Sequence, residues 1–206
     1  MSAGKGDHKE KLDRIFRQHL IEYAAVNGVW PRLGHRRRLM LNSLFLLIPF
    51  ILQTFCMAVD EFYFHRRRGL SRWERLGHPL DTMTVLACFV WLMSAAPSAL
   101  SLSVYVGLSV FSCLFVTKDE PVHSKHCRPN EQWIHALLFI LHPLVLLSAG
   151  LFWPAWRRQT LSFIRYTGFE RKFLLGNTLL TLAFGLYQLV YWNFIWQPAT
   201  SQKQAG

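Results

Sequence analysis

The chain has 206 residues, 51% of them hydrophobic, with 23 Lys and Arg against 12 Asp and Glu, for a net charge of +11. That length leaves no room for a second large core. No nucleic-acid motif or compact basic domain accompanies the charge, which argues against a nucleic-acid partner.

Apart from Lys203 in the tail, charge is confined to residues 1–38, 60–81, 117–131 and 157–172, and the segments between are nearly free of it. Uncharged apolar runs approaching ~20 residues indicate transmembrane helices. The sequence therefore predicts an all-α integral membrane bundle of about five transmembrane helices, preceded by an amphipathic interfacial helix.

Residues 1–38 form a basic N-terminal segment without an apolar h-region, which predicts no cleavable signal peptide. Within it Leu12, Ile15, Phe16, His19, Leu20 and Tyr23 recur at helical spacing, as in a helix lying on the membrane surface. Gly28, Pro31 and Gly34 end it, and His35-Arg36-Arg37-Arg38 marks the headgroup level.

The transmembrane bundle is placed at 39–196. Its first span is Leu39 to Val59, and continuation past Val59 would carry Asp60, Glu61 and His65 out on its end. A basic loop follows, with Asp81 expected to cap the second span, Thr82 to Ala96. The third runs from Leu100 to Val116. Asn130 is expected to cap the fourth, which runs from Glu131 or Gln132 to about Phe152. The fifth is Phe173 to Trp196, and the tail 197–206 reads as disordered. Trp153 to Lys172, aromatic and basic, suits the interface.

With five spans, the loops after the first and the third leave the bilayer on one side. Both carry histidines and carboxylates, so both clusters share a face by topology alone. Within about 20 residues of a span, Lys and Arg number nine on each side, and the N-terminal segment adds five more. Charge does not fix the orientation. The expected location is a bacterial inner membrane.

The two clusters hold Asp60, Glu61, His65, His78 and Asp81 in residues 60–81, and His123, His126, Glu131, His135 and His142 in residues 123–142. Glu61 and His65 are four apart, as are Glu131 and His135, so each pair shares a helix face; His142, seven beyond His135, falls on that face too. Imidazole and carboxylate donors without paired thiolates suit iron, manganese or zinc. Ten groups exceed the needs of one ion and suit two. Glu61, His65, His78, His123, His126, Glu131, His135 and His142 are the candidate metal ligands, with Glu61 and Glu131 as candidate catalytic carboxylates. Asp60 and Asp81 are expected behind them, holding imidazoles in orientation. His142 lies about two turns inside an apolar span, where an ionisable group is a functional candidate by default.

The four cysteines, Cys56, Cys88, Cys113 and Cys127, show no Cys-x-x-Cys spacing and give no sign of a disulfide framework. Only Cys127, beside His126, is placed for chemistry, and a reduced loop thiol is the plainer reading.

Histidines clustered on one face of a small helical membrane protein resemble the integral-membrane di-iron fatty-acid desaturase and hydroxylase superfamily. His123-Ser124-Lys125-His126 approaches that family's His-x-x-His-His box, with Cys127 where the last histidine would stand. Glu61 and Glu131 occupy the leading positions of its His-x-x-x-His box. The resemblance covers residues 60–142. It implies two iron ions, dioxygen activation on a lipid-like substrate, and an external electron-donor protein.

Three functions follow from these clusters. The first is a di-iron oxidoreductase, a hydroxylase or desaturase, drawing a lipid-like chain from the membrane lipid past aromatics such as Phe62, Tyr63, Phe64, Trp73 and Trp133. The second is a zinc-dependent lipid hydrolase, in which three ligands and a bound water suffice and a glutamate is general base. The third is a non-enzymatic heme- or metal-handling membrane protein.

Overall fold

The computed structural model describes residues 40–120 and 127–197. The expected surface helix within residues 1–38, and the tail beyond residue 197, lie outside them. Five helices are long and apolar enough to cross a membrane: α1 (Ser43–Arg68), α2 (Arg72–Ser94), α3 (Ala99–Lys118), α4 (Pro129–Trp156) and α5 (Glu170–Ile195).

Their outer surfaces are apolar. Phe194 is 78% exposed and Leu100 76%, and similar side chains stud every span. In water such a surface would drive association; against acyl chains it costs nothing. Helices satisfy their own backbone groups, so they are the form a chain of this pattern can take in lipid.

α1 begins as a 3-10 turn (Ser43–Leu47), becomes α-helical over Ile48–Val59, and changes to a π-helix over Asp60–His65 before a last turn, Arg66–Arg68. The helix thus continues past Val59 and carries the first acidic and histidine cluster with it. Gly69, at φ 75°, reverses the chain.

α2 starts ten residues before the expected second span. Ser71 and Glu74 form a capping box, each side chain bonding the other's backbone N–H. Asp81 is therefore not a helix cap but lies mid-helix. Pro79 does not stop the helix either. A proline leaves the carbonyl four residues back without its donor, and Asn193 Nδ2 supplies one to Arg75 O at 3.2 Å. At α4, Arg128 occupies the cap without a side-chain bond and Pro129 opens the first turn, so Asn130 is not the cap.

α2 packs along α5, α1 along α4, and α4 also touches α2, α3 and α5. Phe50, Phe89, Phe152 and Phe173 form the core, with Phe50 stacked 6.0 Å from Phe152 and edge-on to Phe173 at 5.0 Å. Polar bonds tie the helices: Thr82 donates to Gln188 at 2.8 Å between α2 and α5, and Tyr105 donates to the Leu146 carbonyl of α4.

At the end of the bundle away from the π turn, a two-residue strand β1 (Leu41–Asn42) pairs in parallel with β2 (Ile164–Arg165). Beside it Ser43 Oγ donates to buried Glu170, which also accepts from the backbone N–H groups of Thr167 and Gly168. The chain before α1 is thereby fastened to the start of α5.

Candidate metal centre

The π turn of α1 and the first turns of α4 meet at the opposite end. In an α-helix Glu61 and His65 would share a face. The wider π turn also brings residue i+5 close to i, and Asp60 Oδ2 lies 3.2 Å from His65 Nε2. π turns inside helices are frequent at functional sites. From α4, His135 Nε2 lies 3.0 Å from Asp60 Oδ1. Asp60, His65, Glu131 and His135 each offer a ligand atom, and these atoms all lie within 4.8 Å of one another. All four residues are buried, from 1% exposure at His65 to 6% at Asp60.

Asp60 and Glu61 thus exchange the places expected of them: Asp60 faces the ligand group and Glu61 stands behind it. Glu61 Oε2 is 3.4 Å from His65 Nδ1, and its other oxygen accepts from Trp192 Nε1 at 2.6 Å. A proton on Nδ1, held by Glu61, leaves His65 Nε2 with its lone pair. Among the described residues that nitrogen is buried without a hydrogen-bond partner, although Asp60 Oδ2 is 3.2 Å away. A carboxylate behind one ring nitrogen and a bare lone pair on the other is how metal-ligating histidines are oriented.

Charge points the same way. Asp60, Glu61, Glu74 and Glu131 are all buried, and buried anions need cationic partners. Arg68 supplies one charge to two of them, with both guanidinium ends on Glu74 at 2.7 and 3.1 Å and Nε on Glu131 at 3.1 Å. Asp60 and Glu131, beside the convergent imidazoles of His65 and His135, make a donor set that fits a metal cation.

The other predicted residues lie around this group. The His78 ring is 4.8 Å from that of His65, one layer out. Asp81 pairs with Lys118 Nζ at 2.6 and 2.7 Å. His142 bonds Ser112 Oγ at 2.9 Å, deeper in the span. His123 and His126 lie outside the described residues. Cys127 is a free thiol, which burial pushes up to about 12.

No family model, curated protein or solved structure matches this chain. Its chemistry has to be read from its own geometry.

A cavity of about 360 Å³ opens from the cluster into the span. Asp60, Glu61, His65 and His78 stand at one end, and Phe50, Val85, Phe89 and Val145 line its apolar length. Of the aromatics expected at the access, Phe62 lines this cavity, whereas Tyr63, Phe64, Trp73 and Trp133 are not among its lining residues. The sequence reading did not reach Arg68, Glu74 or Trp192. Ser71-x-x-Glu74 is a capping-box spacing and was the available signal for Glu74. Arg68 is hidden in a basic run, and nothing local marks Trp192.

Proposed function

We propose that the chain is a membrane-embedded metalloenzyme that oxidises a lipid-like chain, as hydroxylase or desaturase, at iron. The observation that supports this reading is the junction of the buried ligand group with an apolar cavity inside the span. Asp60, His65, Glu131 and His135 would hold the ion. A second ion would draw on His78 and Glu61. Iron, when bound, supplies the oxidising power toward unreactive C–H bonds that no side chain possesses. Dioxygen is the oxidant, and electrons come from an external donor protein.

The chain's own residues do the rest. Arg68 holds Glu131 in place. Glu61 keeps the proton of His65 on Nδ1 and, because it also borders the cavity, can take or return a proton beside the substrate. Phe50, Phe89 and Val145 exclude water from the chain's path.

The zinc-hydrolase reading keeps one specific support: any three of the four convergent ligands suffice for a single tetrahedral ion that keeps a bound water, with Glu61 as general base. The heme reading has none. The His65 and His135 rings are 6.2 Å apart with Asp60 against both, which leaves no room for a porphyrin between them.

Metal analysis of the detergent-purified protein is the test. About two irons per chain with an oxo-bridge absorption band is the expected result. One zinc and no iron would replace this reading with the hydrolase. Neither metal, after growth in supplemented medium, would overturn both.

A further inference from the structure

The cavity has a second polar level, below the metal centre. His142 lies seven residues beyond His135 on α4, and Gln53 lies seven residues before Asp60 on the facing helix α1. At 1.5 Å per residue both sit ~10 Å deeper than the ligand group. Both line the cavity.

With Thr84 donating to the Asp81 carbonyl, the hydrogen-bond chain behind His142 favours a proton on its Nε2. The Thr84 hydroxyl donates to the Asp81 carbonyl at 2.8 Å, which uses its only hydrogen. Ser112 Oγ, 2.6 Å from Thr84 Oγ1, must then be the donor in that pair. With its own hydrogen spent, Ser112 can only accept from His142 Nε2, at 2.9 Å. A neutral imidazole with its proton on Nε2 presents Nδ1 as an acceptor. No described residue bonds that nitrogen. His142 is 6% exposed, and the cavity is the space beside it.

Gln53 repeats the pattern. Its amide nitrogen faces the Met57 sulfur at 3.9 Å, and its carbonyl oxygen is buried without a hydrogen-bond partner among the described residues. The buried Gln53 oxygen, whose unmade hydrogen bond is costly, and His142 Nδ1 lie at one depth on facing helices that line one apolar cavity, placed to accept from a donor on the ligand.

We infer that Gln53 and His142 form a recognition site for a hydroxyl or N–H group carried by the lipid-like ligand, ~10 Å from the atom that reaches the metal centre. The inference rests on the cavity being the substrate chamber, as proposed above, and names the substrate class: an amphiphile with a donor group, not a plain hydrocarbon.

The test uses metal-free, detergent-solubilised full-length protein, so that it stands apart from metal identity. Binding of 10-bromodecan-1-ol and of 1-bromodecane is followed by quenching of tryptophan fluorescence, and the ratio of their affinities is compared between proteins. The ratio favouring the alcohol is expected to fall at least fivefold in His142→Phe and in Gln53→Leu. It should fall partially in Ser112→Ala, which leaves the ring in place but frees its tautomer. Leu147→Ala, on the exposed face of α4, should keep the wild-type ratio. Equal ratios in wild type, Gln53→Leu and Ser112→Ala would overturn the inference, even if His142→Phe failed to fold. If iron is found but the ratio does not move, this inference alone fails. If neither probe binds, it falls together with the reading of the cavity as a substrate chamber.

Discussion

His135 Nε2 lies 3.0 Å from Asp60 Oδ1, although 75 positions separate them in the chain. This contact joins the two clusters that topology places on one side of the bundle. Asp60 is its hinge, since its other oxygen faces His65 at 3.2 Å. Replacing Asp60 or His135 by alanine removes a ligand from each side. Both variants are expected to lose bound metal several-fold, measured by mass spectrometry of the purified protein. Full metal retention in both would end the assignment of this group as the metal centre.

Trp192 reaches the site from α5 by one bond, Nε1 to Glu61 Oε1 at 2.6 Å. Trp192→Phe keeps an aromatic ring at this buried position but removes the donor and part of the volume. Partners that orient ligands contribute roughly 10–100-fold to metal affinity. A loss of about tenfold, read by chelator competition, is the expected outcome, with the helical content unchanged.

Arg68 is the only cation bonded to both Glu74 and Glu131 among the described residues, and Glu74 has no exposed surface. Removing one partner of a buried pair costs several kcal/mol, and the 21% exposure of the Arg68 side chain lessens this. Arg68→Ala should destabilise the protein by roughly 2–3 kcal/mol in detergent melts. Arg68→Lys should recover only part of this, because a point ammonium cannot span both carboxylates as the planar fork does.

At Gly69 the backbone has φ 75°, and an added Cβ would stand 2.7 Å from the Trp196 ring. Gly69→Ala meets both the left-handed backbone penalty and that clash. A loss of about 1–3 kcal/mol is expected, visible as a lowered midpoint of thermal unfolding.

Cys127 gives a pH-dependent readout. Burial raises its thiol to about 12, and only the thiolate alkylates. In a variant retaining this cysteine alone, the labelling rate should climb about tenfold per pH unit from pH 7 to 10 without levelling off. A plateau near pH 8.5 would show an ordinary, solvent-facing thiol.

Much of this arrangement is written in the residues. Apolar runs bounded by charge announce the five spans, and counting spans puts both clusters on one face. What was not legible depends on contacts remote in sequence. The α2 start was hidden because Pro79 and Asp81 look like a helix beginning, while the real start depends on Ser71 and Glu74 and on Asn193 serving the Arg75 carbonyl. The exchange of Asp60 and Glu61 depends on a π turn, whose i+5 pairing no α-helical periodicity reports. His142 looked like a ligand from its spacing, yet a helix that continues in register carries it two turns away from His135, where Ser112 is its neighbour.

The fastening of β1 to β2, with Ser43 against Glu170, acts far from any chemistry, yet it fixes the longitudinal position of α1. A slip of α1 by one residue would shift it ~1.5 Å and swing each side chain by more than a quarter turn. Asp60 would leave His135 and Gln53 would leave the depth of His142 together. The anchor at one rim is therefore the gauge by which both polar levels stay aligned, and loosening it should detune them in concert.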